Sequence, residues 1–229
     1  NHNLPSMAED LVAVYEHNEI PVAMTANEVC CGMPKLELGD LEAVRKAKEV
    51  NIPELAYWVD MGWDIVTPVP SCTLMFKQEL PLMFPDDPDV IKVRDATYDP
   101  FEYLWARHKG DAFNTDFSSA LGSVAYQVAC HQRVQNIGLK TRDVLNLVGE
   151  SDVTAYERCS GHDGTYAVKK ETRDKSVKIA RPTVRKVDEQ APDRFISDCP
   201  MAGEHIAHLS DKVSKAEHPM TLLREAYGL

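Results

Sequence analysis

Apolar residues recur at helical spacing over 7–18, where Leu11, Val14 and Tyr15 share one face and Ser6 with Glu9 forms a capping pattern. A short apolar run at 20–23 predicts a strand that leads towards Cys30. The mixed-charge stretch 40–50 reads as an amphipathic helix. A second helix is expected over 53–61, opened by Pro53 at a tolerated first position. Residues 64–69 are β-rich and run towards Cys72. The stretch 74–84, with Met75, Phe76, Leu80, Leu82, Met83 and Phe84, reads as core packing, with covering a cluster or meeting a partner as the alternative. Pro85 to Pro88 marks a turn. Helical patterns follow at 90–95 and 100–108, and 109–119 is polar and loop-like.

The pattern then repeats. A strand is predicted over 124–129 running into Cys130, a helix over 141–148, and a strand over 153–156 just before Cys159. A long charged helical region over 165–190 is expected to break near Pro182. A strand over 194–197 ends at Cys199, and the tail from Ala202 reads as helical. Cys31 and Cys72 are 41 residues apart, and Cys159 and Cys199 are 40 apart. The expected fold is α/β, with two similar lobes from an internal repeat, 1–119 and 120–229, each a small sheet flanked by helices. Cys130 lies 29 residues before Cys159, so its counterpart falls at Asn1 or just upstream. That places Asn1 near the first site and predicts a further ligand in a longer polypeptide. The absence of an initial methionine points the same way.

The chain has 229 residues, 44% of them hydrophobic, which suits a packed core. No run reaches the ~20 apolar residues of a membrane span, and none reads as a signal peptide. The net charge of −11 argues against nucleic acid and against direct docking on anionic lipid. Six cysteines in a chain of this length, two of them adjacent, fit metal ligation better than disulfides. Adjacent thiols cannot bond each other without strain, but they can reach different atoms of one cluster. Cys30, Cys31 and Cys72 are the candidate ligands of a first site, with Gly32 allowing close backbone approach. Cys130, Cys159 and Cys199 form the second set. There Ser160 replaces a thiol, and His162 is the preferred fourth ligand of a zinc site, with His131 beside it.

Cys30-Cys31-Gly32, the partial copy Cys159-Ser160-Gly161, and Cys72 and Cys199 resemble the cysteine-rich CCG domain of heterodisulfide reductase subunits and their relatives. In that reading Cys72 and Cys199 match the first thiol of each final pair, and Met75 and Ala202 stand in the places of the last. Longer stretches around these motifs look like the branch formed by the iron–sulfur C-subunit of anaerobic glycerol-3-phosphate dehydrogenase and its homologues. The resemblance implies an electron-transfer iron–sulfur subunit without its own substrate chemistry. It implies a CCG-type [4Fe-4S] cluster at the first site and zinc or a second iron–sulfur cluster at the second. It also implies flavoprotein dehydrogenase partners, a ferredoxin-like N-terminal domain outside this chain, and electrons passing towards membrane quinone. The corresponding location is cytoplasmic, peripheral to the inner membrane through partners. A CCG-cluster thiol–disulfide reductase and a zinc-stabilised interaction module are the alternatives.

Overall fold

The computed structural model describes residues 4–27 and 29–229, so the expectation for Asn1 lies outside the described residues. The fold is mixed α/β with two small parallel sheets.

In the first half, α1 (Pro5–His17) buries Leu11, Val14 and Tyr15. It starts at Pro5, whose fixed φ suits a first helical turn, so Ser6 is inside the helix rather than its cap. Residues 20–25 follow without forming the expected strand. After a short α2 (Met33–Glu37), α3 (Leu41–Asp60) runs unbroken through Pro53. Sequence alone split that helix, because proline costs a backbone donor. Burial of Val44, Ile52, Leu55 and Ala56 along one side holds both turns together.

The expected strand at 64–69 is reduced to β1 (Ile65–Val66), which pairs in parallel with β2 (Thr97–Tyr98). Between them, α4 (Pro70–Leu74), a π-helical turn (Met75–Glu79) and α5 (Leu80–Met83) form one continuous rod, followed by α6 (Pro88–Ala96). Leu74, Met75, Phe76 and Leu80 are buried in the first-half core, as core packing predicts, while Leu82 stays exposed. Helix α7 (Pro100–Lys109) closes the half, with Asp99 and Glu102 forming a capping box.

The second half has a complete sheet. Its central strand β3 (Gly122–Gln127) lies between β4 (Ser151–Tyr156) and β5 (Arg194–Ser197), all parallel. The last four residues of β3 are buried, as expected for a central parallel strand covered on both faces. Helices α8 (Cys130–Arg133), α9 (Lys140–Leu145), α10 (Arg173–Gln190), α11 (Pro200–Leu209) and α12 (Pro219–Tyr227) complete it. Helix α10 passes through Pro182 without the expected break, and 165–172 form turns before it. Its buried face of Ala180, Thr183, Val184 and Val187 outweighs the one lost backbone bond.

The halves share a core across the 119/120 division. Leu11 and Val14 of α1 and Phe101 and Leu104 of α7 pack in one cluster with Val124, Tyr126, Leu145, Leu222 and Leu223. Helix α1 packs on α12, and α7 packs on α9. Asp10, nearly buried, accepts from Thr221 Oγ1 at 2.5 Å and from Arg224 Nη1 at 2.8 Å, which ties α1 to α12.

Candidate metal centres

Cys30 and Cys31 sit at the entry to α2, just before Gly32. Gly32 has φ +97°, a left-handed conformation that other residues adopt only under strain. The turn is held by Asn51 of α3. Its Oδ1 accepts from the Val29 amide at 3.2 Å, and its Nδ2 donates to the Cys30 carbonyl at 3.4 Å. Cys72 approaches on the first turn of α4. The thiols lie close enough to shift one another: Cys72 raises Cys31, and Cys30 lowers it. Burial also pushes the Cys31 thiol up, and Cys31 in turn lowers Cys72. The structure therefore gathers the first predicted trio at one spot.

The second motif repeats the turn. Gly161 has φ +76°, and a Cβ there would meet the Ser176 carbonyl of α10 at 2.3 Å, so only glycine fits. Cys159 Sγ accepts from the Gly161 amide at 3.4 Å and from the Cys130 thiol. These bonds, that from Cys130 above all, lower Cys159 to about 6, while Cys130 is raised by the same contact. Cys199 is half-buried at the start of α11, and burial raises it. No contact of Cys199 with the other two thiols is seen among the described residues. The His162 ring lies 6.5 Å from that of His205, and burial lowers both. His205 is itself 2.8 Å from Ser176 Oγ, which donates to the Gly161 carbonyl at 2.7 Å. Ser160, in place of a thiol, is buried and accepts from the His162 amide.

Helix starts show which thiols are equivalent. Pro70 and Pro200 each occupy the first position of their helix. Cys72 is the third residue of α4, whereas Cys199 precedes Pro200 as the cap of α11. Matching the prolines pairs Cys72 with Ala202 and Cys199 with Val69. The near-equal spacings of 41 and 40 thus compare non-equivalent positions, and the two sites draw on opposite members of the final cysteine pair.

The two sites face each other. Ser71 Oγ, beside Cys72, is 2.8 Å from Nδ1 of His131, beside Cys130. His131 Nε2 is 3.7 Å from Glu37 of α2. Gln135 Nε2 donates to the Pro70 carbonyl at 3.2 Å. Beneath them lies a buried polar network. Tyr126 OH donates to Asp198 at 2.5 Å, Thr141 Oγ1 donates to Asp198 at 2.8 Å, and Gln132 Nε2 donates to Thr141 at 3.1 Å. Asp99, the cap of α7, lies 3.5 Å from the same Gln132 nitrogen. Burial raises both Asp99 and Asp198. Sequence reasoning found His131 but missed Ser71, Glu37 and this network, whose members carry no motif of their own.

Among the described residues, no group of three or more His, Cys, Asp or Glu side chains surrounds a common point as ligands of a single ion would. The donor set at the first site still suits a multi-metal cluster: three soft thiols from two chain segments, whose ligands attach to different metal atoms.

A profile of the CCG cysteine-rich domain matches residues 1–77 and 124–205, spanning both thiol motifs. The chain belongs to the CCG cysteine-rich domain family. This CCG chain is 27% identical over 228 residues to the C-subunit of anaerobic glycerol-3-phosphate dehydrogenase of Escherichia coli (strain K12), covering 99% of the chain and 56% of that protein. It is 30% identical over 168 residues to lactate utilization protein A of Bacillus cytotoxicus, covering 69% of the chain and 66% of that protein. A lactate utilization protein A 1 of Bacillus cereus (strain AH820) matches at 30% over 169 residues. The CCG chain thus spans just over half the length of the first of these relatives. No helix among the described residues is long and apolar enough to cross a membrane.

Proposed function

We propose that the chain is the cysteine-rich part of an iron–sulfur electron-transfer subunit that works beside a flavoprotein dehydrogenase. The observation that carries this reading is the meeting of the Cys30, Cys31 and Cys72 thiols at the Gly32 turn. Relatives named as the C-subunit of a dehydrogenase and as a lactate utilization protein support it. An iron–sulfur cluster, when bound, takes up and releases single electrons. Cys30, Cys31 and Cys72 would hold it. Asn51 would fix the turn, and Met33, Leu74 and Met75, all buried nearby, would keep water out. Transfer towards membrane quinone, and a cytoplasmic place at the inner membrane through partners, follow from the same reading.

Cys130, Cys159 and Cys199 would hold the second metal, zinc with His162 or a second cluster. The Ser71–His131 contact brings this site against the first, which suits passage of an electron between them.

A second reading, thiol–disulfide reduction, draws on Cys159 itself. An exposed thiol lowered to about 6 beside a second thiol has the character of an attacking nucleophile.

The test is anaerobic reconstitution with iron and sulfide, followed by metal analysis and electron paramagnetic resonance. A reducible signal that Cys31→Ala abolishes and Cys159→Ala leaves supports the assignment. Zinc alone in both sites overturns it. Turnover of a disulfide substrate, lost in Cys159→Ala, favours the second reading.

A further inference from the structure

The second-half sheet is a template for the first half. In it, the strand before Cys159 (β4) and the strand before Cys199 (β5) do not touch each other; β3 lies between them and bonds both. In the first half, the segment before Cys30 and the strand before Cys72 stand in the corresponding places, and an open cleft of about 440 Å³ separates them. Val22, Ala23 and Met24 line it, as do Ile65, Val66 and Thr67. Trp58 and Trp63 also face it.

Both segments carry unused backbone. Among the described residues, no hydrogen bond reaches the amides or carbonyls of residues 22–25. Strand β1 pairs on one side only, with β2. Two strands that belonged side by side would close to ~4.8 Å and bond each other. These do not pair, and the apolar cleft between them is left open. Met24 is 66% exposed and Val29 46%, just beyond the stretch 20–23 that reads as a strand in sequence. Unpaired edges beside exposed apolar surface are what a folded sheet normally avoids.

We infer that this cleft is the seat of a central parallel β-strand, supplied by polypeptide that precedes Asn1. The repeat sets the source. Strand β3 begins 37 residues before Cys159 and ends 32 before it. Helix α9 ends 14 residues before Cys159, and α1 ends 13 residues before Cys30. The offsets of β3, counted back from Cys30, fall just upstream of Asn1. The incoming strand pairs with 22–25 on one edge and with 65–67 on the other, converting a two-stranded ribbon into a sheet like that of the second half. Its apolar side chains cover the tryptophans. This assignment concerns the sheet alone and stands whether or not either thiol site binds metal.

The test compares the polypeptide as its gene encodes it, including whatever precedes Asn1, with the chain begun at Asn1. A defined probe is run beside them: the chain extended directly before Asn1 by a copy of residues 122–129. Its control is the same extension with proline at its fourth and fifth positions, which cannot donate to a ladder. In the natural polypeptide and the probe, deuterium uptake at 22–25 and 65–67 should slow by about tenfold or more relative to the bare chain. Acrylamide quenching of Trp58 and Trp63 should fall as well, while the proline control behaves as the bare chain does. Equal uptake in the natural polypeptide and the bare chain overturns the inference. So does a gene that encodes nothing before Asn1, or protection of the bare chain that grows with protein concentration, which would put a second copy in the cleft.

Discussion

The hydroxyl of Ser71 lies 2.8 Å from Nδ1 of His131, so the neighbour of Cys72 touches the neighbour of Cys130. The two thiol groups are therefore not independent sites at opposite ends of a duplicated chain. They meet where α4 packs on α8, and Glu37 approaches from α2. Anything that spreads this junction moves the two candidate sites apart together.

The thiols differ in reactivity. Cys159 is lowered to about 6 chiefly by the bond it accepts from Cys130, so it is mostly ionised at pH 7 in metal-free protein. Iodoacetamide at pH 7 should modify Cys159 before Cys130, with a rate that levels off above about pH 7. Cys130→Ala removes the donor and should move the midpoint of that rate profile upward. Mass spectrometry of peptides from a timed reaction reads both effects.

His218 makes the fold sensitive to acid. Its Nδ1 accepts from the Met220 amide at 3.3 Å, and its Nε2 donates to the Pro68 carbonyl at 3.3 Å, an arrangement only the neutral ring can make. Burial accordingly lowers it from 6.5 to about 4. Between those values the unfolded chain binds the proton and the native one does not. Stability is full above pH 6.5 and falls as pH drops towards 4, by about 3 kcal/mol from this residue. Urea unfolding across that window should show the slope, and His218→Gln should flatten it.

The two motif glycines should respond differently to alanine. In Gly161→Ala the new Cβ meets the Ser176 carbonyl at 2.3 Å, a clash with helix backbone that cannot turn aside. Gly32 needs its left-handed φ, but a Cβ there meets nothing closer than 3.6 Å. Gly32→Ala should cost about 1–2 kcal/mol, and Gly161→Ala about 3 kcal/mol or more. Thermal or urea unfolding of metal-free protein ranks them.

Asp10 ties α1 to α12. Asp10→Ala strands Thr221 and Arg224, but Arg224 keeps access to water, so the cost is limited to about 2 kcal/mol. Asp10→Asn keeps an acceptor and should cost less. The chemical-denaturation midpoint, with an unchanged slope, is the measurement.

Much of this was legible in the chain. Strand β5 falls on the residues its apolar run predicts, and α1, α6 and α7 lie within a few residues of their patterns, because amphipathic faces and prolines at helix starts are local signals. Pro53 and Pro182 misled, since their cost is local while the burial that outweighs it is tertiary. The strand at 20–23 failed for a matching reason: a strand exists only with a partner, and none of the described residues pairs with it. The thiol motifs pointed to the first site. Their equivalence was misread, because near-equal spacings of 41 from Cys31 and 40 from Cys159, which start at different places in the motif, concealed a three-residue shift that Pro70 and Pro200 reveal.

The contacts of α1 with α12 have a consequence for synthesis. Asp10 and Thr221 are 211 residues apart, and Asp10 and Arg224 are 214 apart. As the chain leaves the ribosome, α1 emerges more than 200 residues before α12 and waits for that partner until α12 is made. During that time the face bearing Leu11 and Val14 has no lasting cover, and the nascent chain must be kept from premature association while it does. The core shared by α1 and α12 is therefore closed only once α12 has left the ribosome.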